Sequence, residues 1–312
     1  RIVVVSNSET PTISETTLGH ELVHAYQFRH LDPTYNESTL ELFSRSRALI
    51  EGDARLVDHE YRQRCEGAWS CLRPASGGSG NDSGTSSVHY GLTILSYFPY
   101  SDGPDFVRSF RERGGWDRVN ALYDAPPASS EQVVTPRKYH RDAPRNVTYR
   151  DRSSSDWERV DASGTPDYGS VGMAGMTAMF AYPSYDDSRQ GGVVSADQFL
   201  NLGPNGTVDD FDPIDYNLSY VRGWDGDKIV VYRNGPQTGY VWKSAWDSPR
   251  EAQEFATGYR RLLRYWGGNR TGDAWRIDSG PFADAFRVTV EGDTVTVVNA
   301  PTVDGLDGVR RQ

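Results

Sequence analysis

The sequence is poor in lysine, cysteine and methionine, and it has no long apolar run. Only Lys138, Lys228 and Lys243 are lysines, against 30 arginines. No stretch approaches the roughly 18 consecutive apolar residues of a membrane-spanning helix, so no membrane span is expected. Excess positive charge is missing too. The 33 basic residues face 43 acidic ones, a net charge of -10, and this argues against nucleic acid as a partner, because phosphate binding needs a basic face. Internal repeats are not visible. What is present is a 37% hydrophobic content over 312 residues, enough to build a core and to exclude wholesale disorder. That length predicts one or two domains.

The acidic residues are mostly short: 29 of the 43 are aspartate. An Asp-rich, Lys-poor surface resembles proteins of extreme halophiles, where short carboxylates keep a chain hydrated in concentrated salt; an ordinary acidic protein from a high-GC genome also favours Arg over Lys. Cys65 and Cys71 are close enough in sequence to close a small disulfide loop. A free dithiol or half of a metal site would have the same spacing, but no second cysteine pair exists to complete a structural zinc site. N-x-[ST] sequons stand at Asn36, Asn81, Asn146, Asn205, Asn217 and Asn269. With the disulfide they point to a secreted or cell-surface glycoprotein. The chain starts with neither an initiator Met nor a signal peptide, so a mature chain with an upstream segment removed or left out is expected.

Patterning predicts an α+β fold in two regions, a helical core over residues 1–156 and an α+β region over 157–312 packed on it. Residues 2–5 read as a strand. Thr12 and Glu15 have the spacing of a capping box, which opens a helix running to about Arg29. A longer helix covers about residues 38–64, followed by the disulfide loop and a Gly/Ser-rich stretch over 75–87 that reads as a loop. Residues 88–124 look helical in three pieces, broken at Pro99, Pro104 and Gly114-Gly115. The segment 126–156 has no clear period, and 171–182 reads as a buried helix or strand. Strands are expected at 228–233 and 240–246, a helix with Pro249 in its first turn, and a hairpin of 286–290 with 294–298.

Chemistry concentrates in His20-Glu21-Leu22-Val23-His24, an H-E-x-x-H motif. On a helix the two imidazoles project from one face, one turn apart, the spacing that holds one Zn²⁺ through neutral nitrogens. Glu21 can reach a water at the metal and serve as general base. The neighbouring Leu18, Leu22, Val23 and Ala25 predict a buried helix. A catalytic zinc needs a third protein ligand, and Glu51 is the candidate, 27 residues after His24, with Glu41 or Asp58 as fallback. Gly52 removes a side chain where two helices would approach, at a cost of about 0.5–1 kcal/mol in a helix interior. Asp53 is a candidate to orient a ligand imidazole through its other N–H.

HELVHA followed by EGDA resembles the gluzincin-type zincin metallopeptidases. More narrowly, the chain resembles a group of haloarchaeal zincin-like surface proteins, through HELVHAYQ, RALIEGDA, the Arg64–Cys71 loop, Gly115-Trp116, Ser130-Glu131-Gln132 with Lys138-Tyr139, and Trp246-Asp247-Ser248. The resemblance implies a zinc-dependent peptidase fold, with zinc on His20, His24 and Glu51 and catalysis by Glu21; it implies no substrate. At one point the chain departs from the related pattern: Thr135 stands where a histidine is expected. Zinc peptidases place a Tyr or His donor near the oxyanion, and losing one such donor costs about 10²–10³ in rate. Tyr139 and His140 are the candidate replacements.

His30 and His59 read as structural or solvent-facing, and His89 as a candidate to line the cleft. Asp209, Asp210, Asp212 and Asp215 form either a Ca²⁺ site or a solvated acidic loop. Two function classes follow. The first is a secreted or surface zinc peptidase acting on a peptide or protein substrate, with the strand at 2–5 edging the cleft. The second is a non-catalytic surface structural or assembly protein on the same scaffold, with self-association through that strand.

Overall fold

The structure, a computed structural model, describes residues 15–67, 69–71, 89–161, 166–186, 189 and 191–311. Thr12, the strand at 2–5 and Asn81 lie outside them. Helices come first: α1 Glu15–His30, α2 Leu40–Glu66, α3 Tyr90–Asp124 and α4 Ser130–Val134, the last followed by a short turn of 3₁₀ helix at Pro136–Lys138. Next are β1 Glu158–Arg159, α5 Gly172–Ala181 and α6 Ala196–Phe199. The remainder is β2 Trp224–Asn234, β3 Gln237–Trp246, α7 Pro249–Tyr265, β4 Asn269–Thr271, β5 Ala274–Arg276, β6 Ala285–Glu291, β7 Thr294–Ala300 and α8 Val303–Val309. All seven strands pair antiparallel in one sheet of order β1-β2-β3-β7-β6-β5-β4, so the fold is α+β.

Local chemistry sets the element ends. Thr39, Ser129, Ser248 and Thr302 precede α2, α4, α7 and α8, and each side chain accepts an otherwise orphan backbone N–H of its helix. Pro249 opens α7, where a missing N–H is harmless. The β6–β7 hairpin turns through Gly292 at φ 59°, a left-handed conformation that glycine adopts without strain.

Helix α3 differs from expectation. It runs through Pro99 and Pro104 and breaks only at Gly114 and Gly115, the latter at φ 70°. A proline removes one helix hydrogen bond and crowds the preceding turn. Here both prolines are buried together with Phe98, Phe106, Val107 and Phe110 of the same helix, and that burial outweighs the lost bonds.

Gly52 is required for a different reason from the one expected. The helix that approaches it is α3: a Cβ on Gly52 would sit 2.3 Å from the carbonyl carbon of Gly103, and one on Gly103 would sit 2.4 Å from the Ala48 oxygen. Two backbones touch, and neither position has room for a methyl. Helix α1 is also less buried than its apolar residues suggested. It packs on α2, but Leu22, Tyr26 and Phe28 are 54%, 50% and 61% exposed.

One core spans both regions, from Leu49, Phe98 and Phe106 through Phe180 to Trp224, Trp246 and Phe255. Buried Asp227 fastens the sheet to α5. It accepts from Ser170 Oγ, the Val171 and Gly172 amides and the indoles of Trp224 and Trp242. Two of the eight tryptophans are thus accounted for by a buried carboxylate.

Gly52→Ala is expected to destabilise the protein by about 2–4 kcal/mol, since the added methyl meets backbone and neither helix can yield cheaply. Urea denaturation of the two proteins in high salt measures it; an unchanged midpoint contradicts the contact.

Candidate metal centre

Helices α1 and α2 bring three ligand atoms together. His20 Nε2 and His24 Nε2 are 3.0 Å apart. Each lies 3.3 Å from Glu51 Oε2. No other such group of His, Cys or carboxylate ligands among the described residues includes a histidine. Four-coordinate zinc with ligands at 2.0–2.1 Å places ligand atoms about 3.3 Å apart. The observed triangle is that size. The donor set, two imidazoles and one carboxylate, also suits a catalytic zinc with a position left for water.

The outward nitrogens are anchored, and this aims the inward ones. His20 Nδ1 pairs with Asp58 Oδ2 at 3.2 Å. His24 Nδ1 pairs with Gln27 Oε1 at 2.8 Å. With each Nδ1 donating, both Nε2 lone pairs face the shared centre. Gln27 is fully buried and held in turn: its Nε2 donates to Ile50 O and Asp53 Oδ2, both at 3.0 Å. Tyr123 then donates to the same Asp53 oxygen at 2.7 Å. Asp53 was expected to touch a ligand imidazole. It acts one residue further out, through Gln27, while the direct carboxylate partner is Asp58.

Charge within this cluster is strongly coupled. Bonds to Asp58 and Glu51 raise the His20 pKa to about 9 against the opposing effect of burial. Burial opposes protonation of His24 as well, but Glu51 and Gln27 leave its pKa raised. Burial works against the Glu51 charge, yet the two imidazoles hold its pKa at about 2. Without a metal, a proton therefore holds the cluster together. Protons and metal compete for the same lone pairs.

Tyr100, on α3, is the residue that the sequence did not reveal. Burial, the Glu51 charge and a hydrogen bond to Glu51 push its hydroxyl up to about 12, and Glu21 adds to the effect. A hydroxyl that stays protonated beside Glu51 and Glu21 is a hydrogen-bond donor at the centre. Tyr139 and His140 do not fill that place. The Tyr139 hydroxyl donates to Ala125 O at 2.5 Å, and its ring packs on Phe106 and Phe110. His140 stacks on that ring at φ 59°. Neither touches His20, His24 or Glu51 among the described residues. Thr135 ends α4, with its backbone N–H on Glu131 O.

The other candidates fall elsewhere. Glu41 is buried, with its carboxylate on the amide and hydroxyl of Ser130, each at 2.5 Å, and burial raises its pKa to about 7. His30 stacks near Tyr26, and His59 lies against Phe211. His89 caps α3 and lines a separate apolar cavity of about 430 Å³ together with Tyr182 and Trp266. Glu131, Asp142 and Asp247 also cluster, but Lys138 Nζ sits among them at 2.7, 2.9 and 2.5 Å. Thus Ser130-Glu131-Gln132, Lys138 and Trp246-Asp247-Ser248 meet in an ion cluster around an ammonium group.

A family model described as a domain of unknown function (DUF8575) matches residues 158–310. The match covers the sheet region and includes none of His20, Glu21, His24 or Glu51. No curated protein and no solved structure matches the chain.

Two outcomes follow. Asp58→Asn and Gln27→Ala should each weaken zinc binding about 10–100-fold while leaving all three ligand side chains in place; competition with a chromogenic chelator reads this. In the metal-free protein, the His20 contribution to stability is complete below its ordinary 6.5 and fades as pH rises through about 9. Zinc should reverse that slope, because deprotonated imidazoles bind it. Melting temperatures across pH with and without zinc check the sign, and parallel curves contradict it.

Proposed function

We propose that the chain is a zinc peptidase whose centre is His20, His24 and Glu51. The observation that carries this reading is the triangle of three ligand atoms at 3.0–3.3 Å beside a glutamate, Glu21, that is not part of it. When bound, zinc supplies a Lewis acid for a substrate carbonyl and lowers the pKa of a water. Glu21 accepts the proton of the attacking water and returns it to the leaving nitrogen as the peptide C–N bond breaks. The Tyr100 hydroxyl donates to the oxygen that gains charge on the attacked carbon. Asp58 and the Gln27–Asp53–Tyr123 relay hold the imidazoles in register throughout. A purely structural zinc has no use for Glu21.

An extracellular or cell-surface setting accords with the chain's other features. A disulfide joins Cys65, in the last turn of α2, to Cys71 just beyond the helix. No helix among the described residues is long and apolar enough to cross a membrane. Asn36, Asn146, Asn205 and Asn269 are exposed, and Asn217 is half-buried with its Oδ1 accepting from Arg222.

Peptide cleavage in high salt should be abolished by a chelator and restored by zinc. Glu21→Gln should lose at least about 10³ in kcat while keeping its zinc, and Tyr100→Phe about 10²–10³. Wild-type protein that binds one zinc and cleaves no peptide in an unstructured mixture overturns the peptidase reading in favour of a surface assembly protein on the same scaffold.

A further inference from the structure

Strand register gathers polar side chains on one face of the sheet. Tyr240 of β3 pairs with Asn299 of β7, and Asn299 pairs with Phe286 of β6, so the three side chains form a row across neighbouring strands. Helix α7 packs on these strands and brings Tyr259 to the row, its hydroxyl 3.2 Å from that of Tyr240. Asp284, just before β6, accepts from Asn299 Nδ2 at 3.2 Å. All of these groups line the cavity of about 430 Å³ that His89 borders.

The rest of the lining is apolar, with Leu95 of α3, Met179 of α5 and Leu262 of α7 among it. The rings of Tyr182, Trp266 and Phe282 form one continuous wall, with successive centroids 5.9 and 4.4 Å apart. Phe282 is 43% exposed, so the cavity opens to solvent on that side. A mostly apolar hollow of this size with a few convergent polar groups is the form that small-molecule sites take.

The polar end has more acceptors than donors. Asn299 Nδ2 spends its two hydrogens on Asp284 Oδ2 and Ala285 O, which leaves Asn299 Oδ1 to accept. The two tyrosines share one hydrogen between them, so a single hydroxyl donor remains. Arg276, the cation that acts on Asp284, is committed to Asp278 Oδ1 and Pro301 O. No lysine or arginine is among the described residues lining the cavity; Arg189 lies over Trp266 but donates to Tyr265 O. His89 stacks on Tyr182, with its Nδ1 accepting from the Leu92 amide. Burial pushes the Asp284 carboxyl up, as for a charge without a full counterion.

We propose that this cavity binds a small arylalkyl amine, with the ammonium group on Asp284 and Asn299 Oδ1 and the aromatic body along Tyr182, Trp266 and Phe282. An ammonium supplies both the positive charge and the hydrogens that the polar end lacks. The aromatic wall suits the ring body by stacking and the charge by cation–π attraction. A carboxylic acid of the same size would set two like charges together, and a neutral ligand would cover Asp284 without pairing it. The lining includes none of His20, Glu21, His24 and Glu51, so the proposal stands apart from the zinc reading.

Calorimetric titration of the full chain with 2-phenylethylamine, 2-phenylethanol and 3-phenylpropionate, each with and without zinc, tests the proposal. One amine per chain is expected, bound at least tenfold more tightly than the alcohol and far more tightly than the acid, with zinc making no difference. Asp284→Asn keeps the shape of the site and should weaken the amine at least tenfold while leaving the alcohol unchanged. Phe282→Ala, at an exposed position where a fold defect is less of a concern, should weaken amine and alcohol alike. Absence of amine binding overturns the site, as does equal affinity for amine and alcohol. Equal amine affinity in wild type and Asp284→Asn, or amine binding that requires zinc, overturns it as well.

Discussion

Two imidazole nitrogens and a carboxylate oxygen, each rich in electrons, stand half-buried between α1 and α2, 3.0–3.3 Å from one another. Left alone they repel. Their convergence is stable only if something positive lies between them, and the surroundings are arranged to keep the lone pairs aimed inward. Asp58 fixes one ring, Gln27 the other, and Gln27 is itself locked by Asp53 and by the Ile50 carbonyl. Buried polar groups that are each satisfied in this way rigidify a site, while a single missing partner would be expensive. The cluster is thus a preorganised receptor for positive charge, and its donors, two imidazoles and a carboxylate, are of the kind that zinc takes.

Helix α2 is the element through which these requirements are met. It carries Glu51 to the centre, Asp53 to the relay and Asp58 to His20, while Glu41 at its start holds α4. Gly52 lets α3 come into backbone contact with it. That contact brings Tyr100 beside Glu51. Any shift of α2 against α3 would therefore disturb Glu51 and Tyr100 together. The sheet stands further back, fastened through Asp227 and the shared core, and it supplies no ligand to the centre.

Much of this was legible where the physics is local. His20, Glu21 and His24 announce themselves by one-turn spacing, and Glu51 by its distance along the chain from them. Hairpin turns and capped helices are likewise short-range. Legibility ended where tertiary packing decides. Pro99 and Pro104 read as helix breaks, but burial keeps α3 continuous. Leu18, Leu22 and Ala25 read as a buried face, but α1 has no regular apolar stripe and leaves Leu22 and Tyr26 in solvent. Tyr100 had no signal at all, because a tyrosine between a proline and a serine shows nothing of its neighbour across a helix crossing. Tyr139 was assigned from motifs that instead serve the Lys138 ion cluster, and Asp53 was placed one contact too close to the ligand imidazoles.

The coordination shell itself is the most direct test. Zinc K-edge X-ray absorption of protein loaded with one equivalent should show two imidazole nitrogens and one or two oxygens at about 2.0–2.1 Å, with no sulfur. Substituting Glu51 by Gln should remove or lengthen one oxygen shell. A spectrum of six oxygens with no imidazole scattering, or one that does not change in the Glu51→Gln variant, would contradict the assignment of His20, His24 and Glu51 as the metal centre.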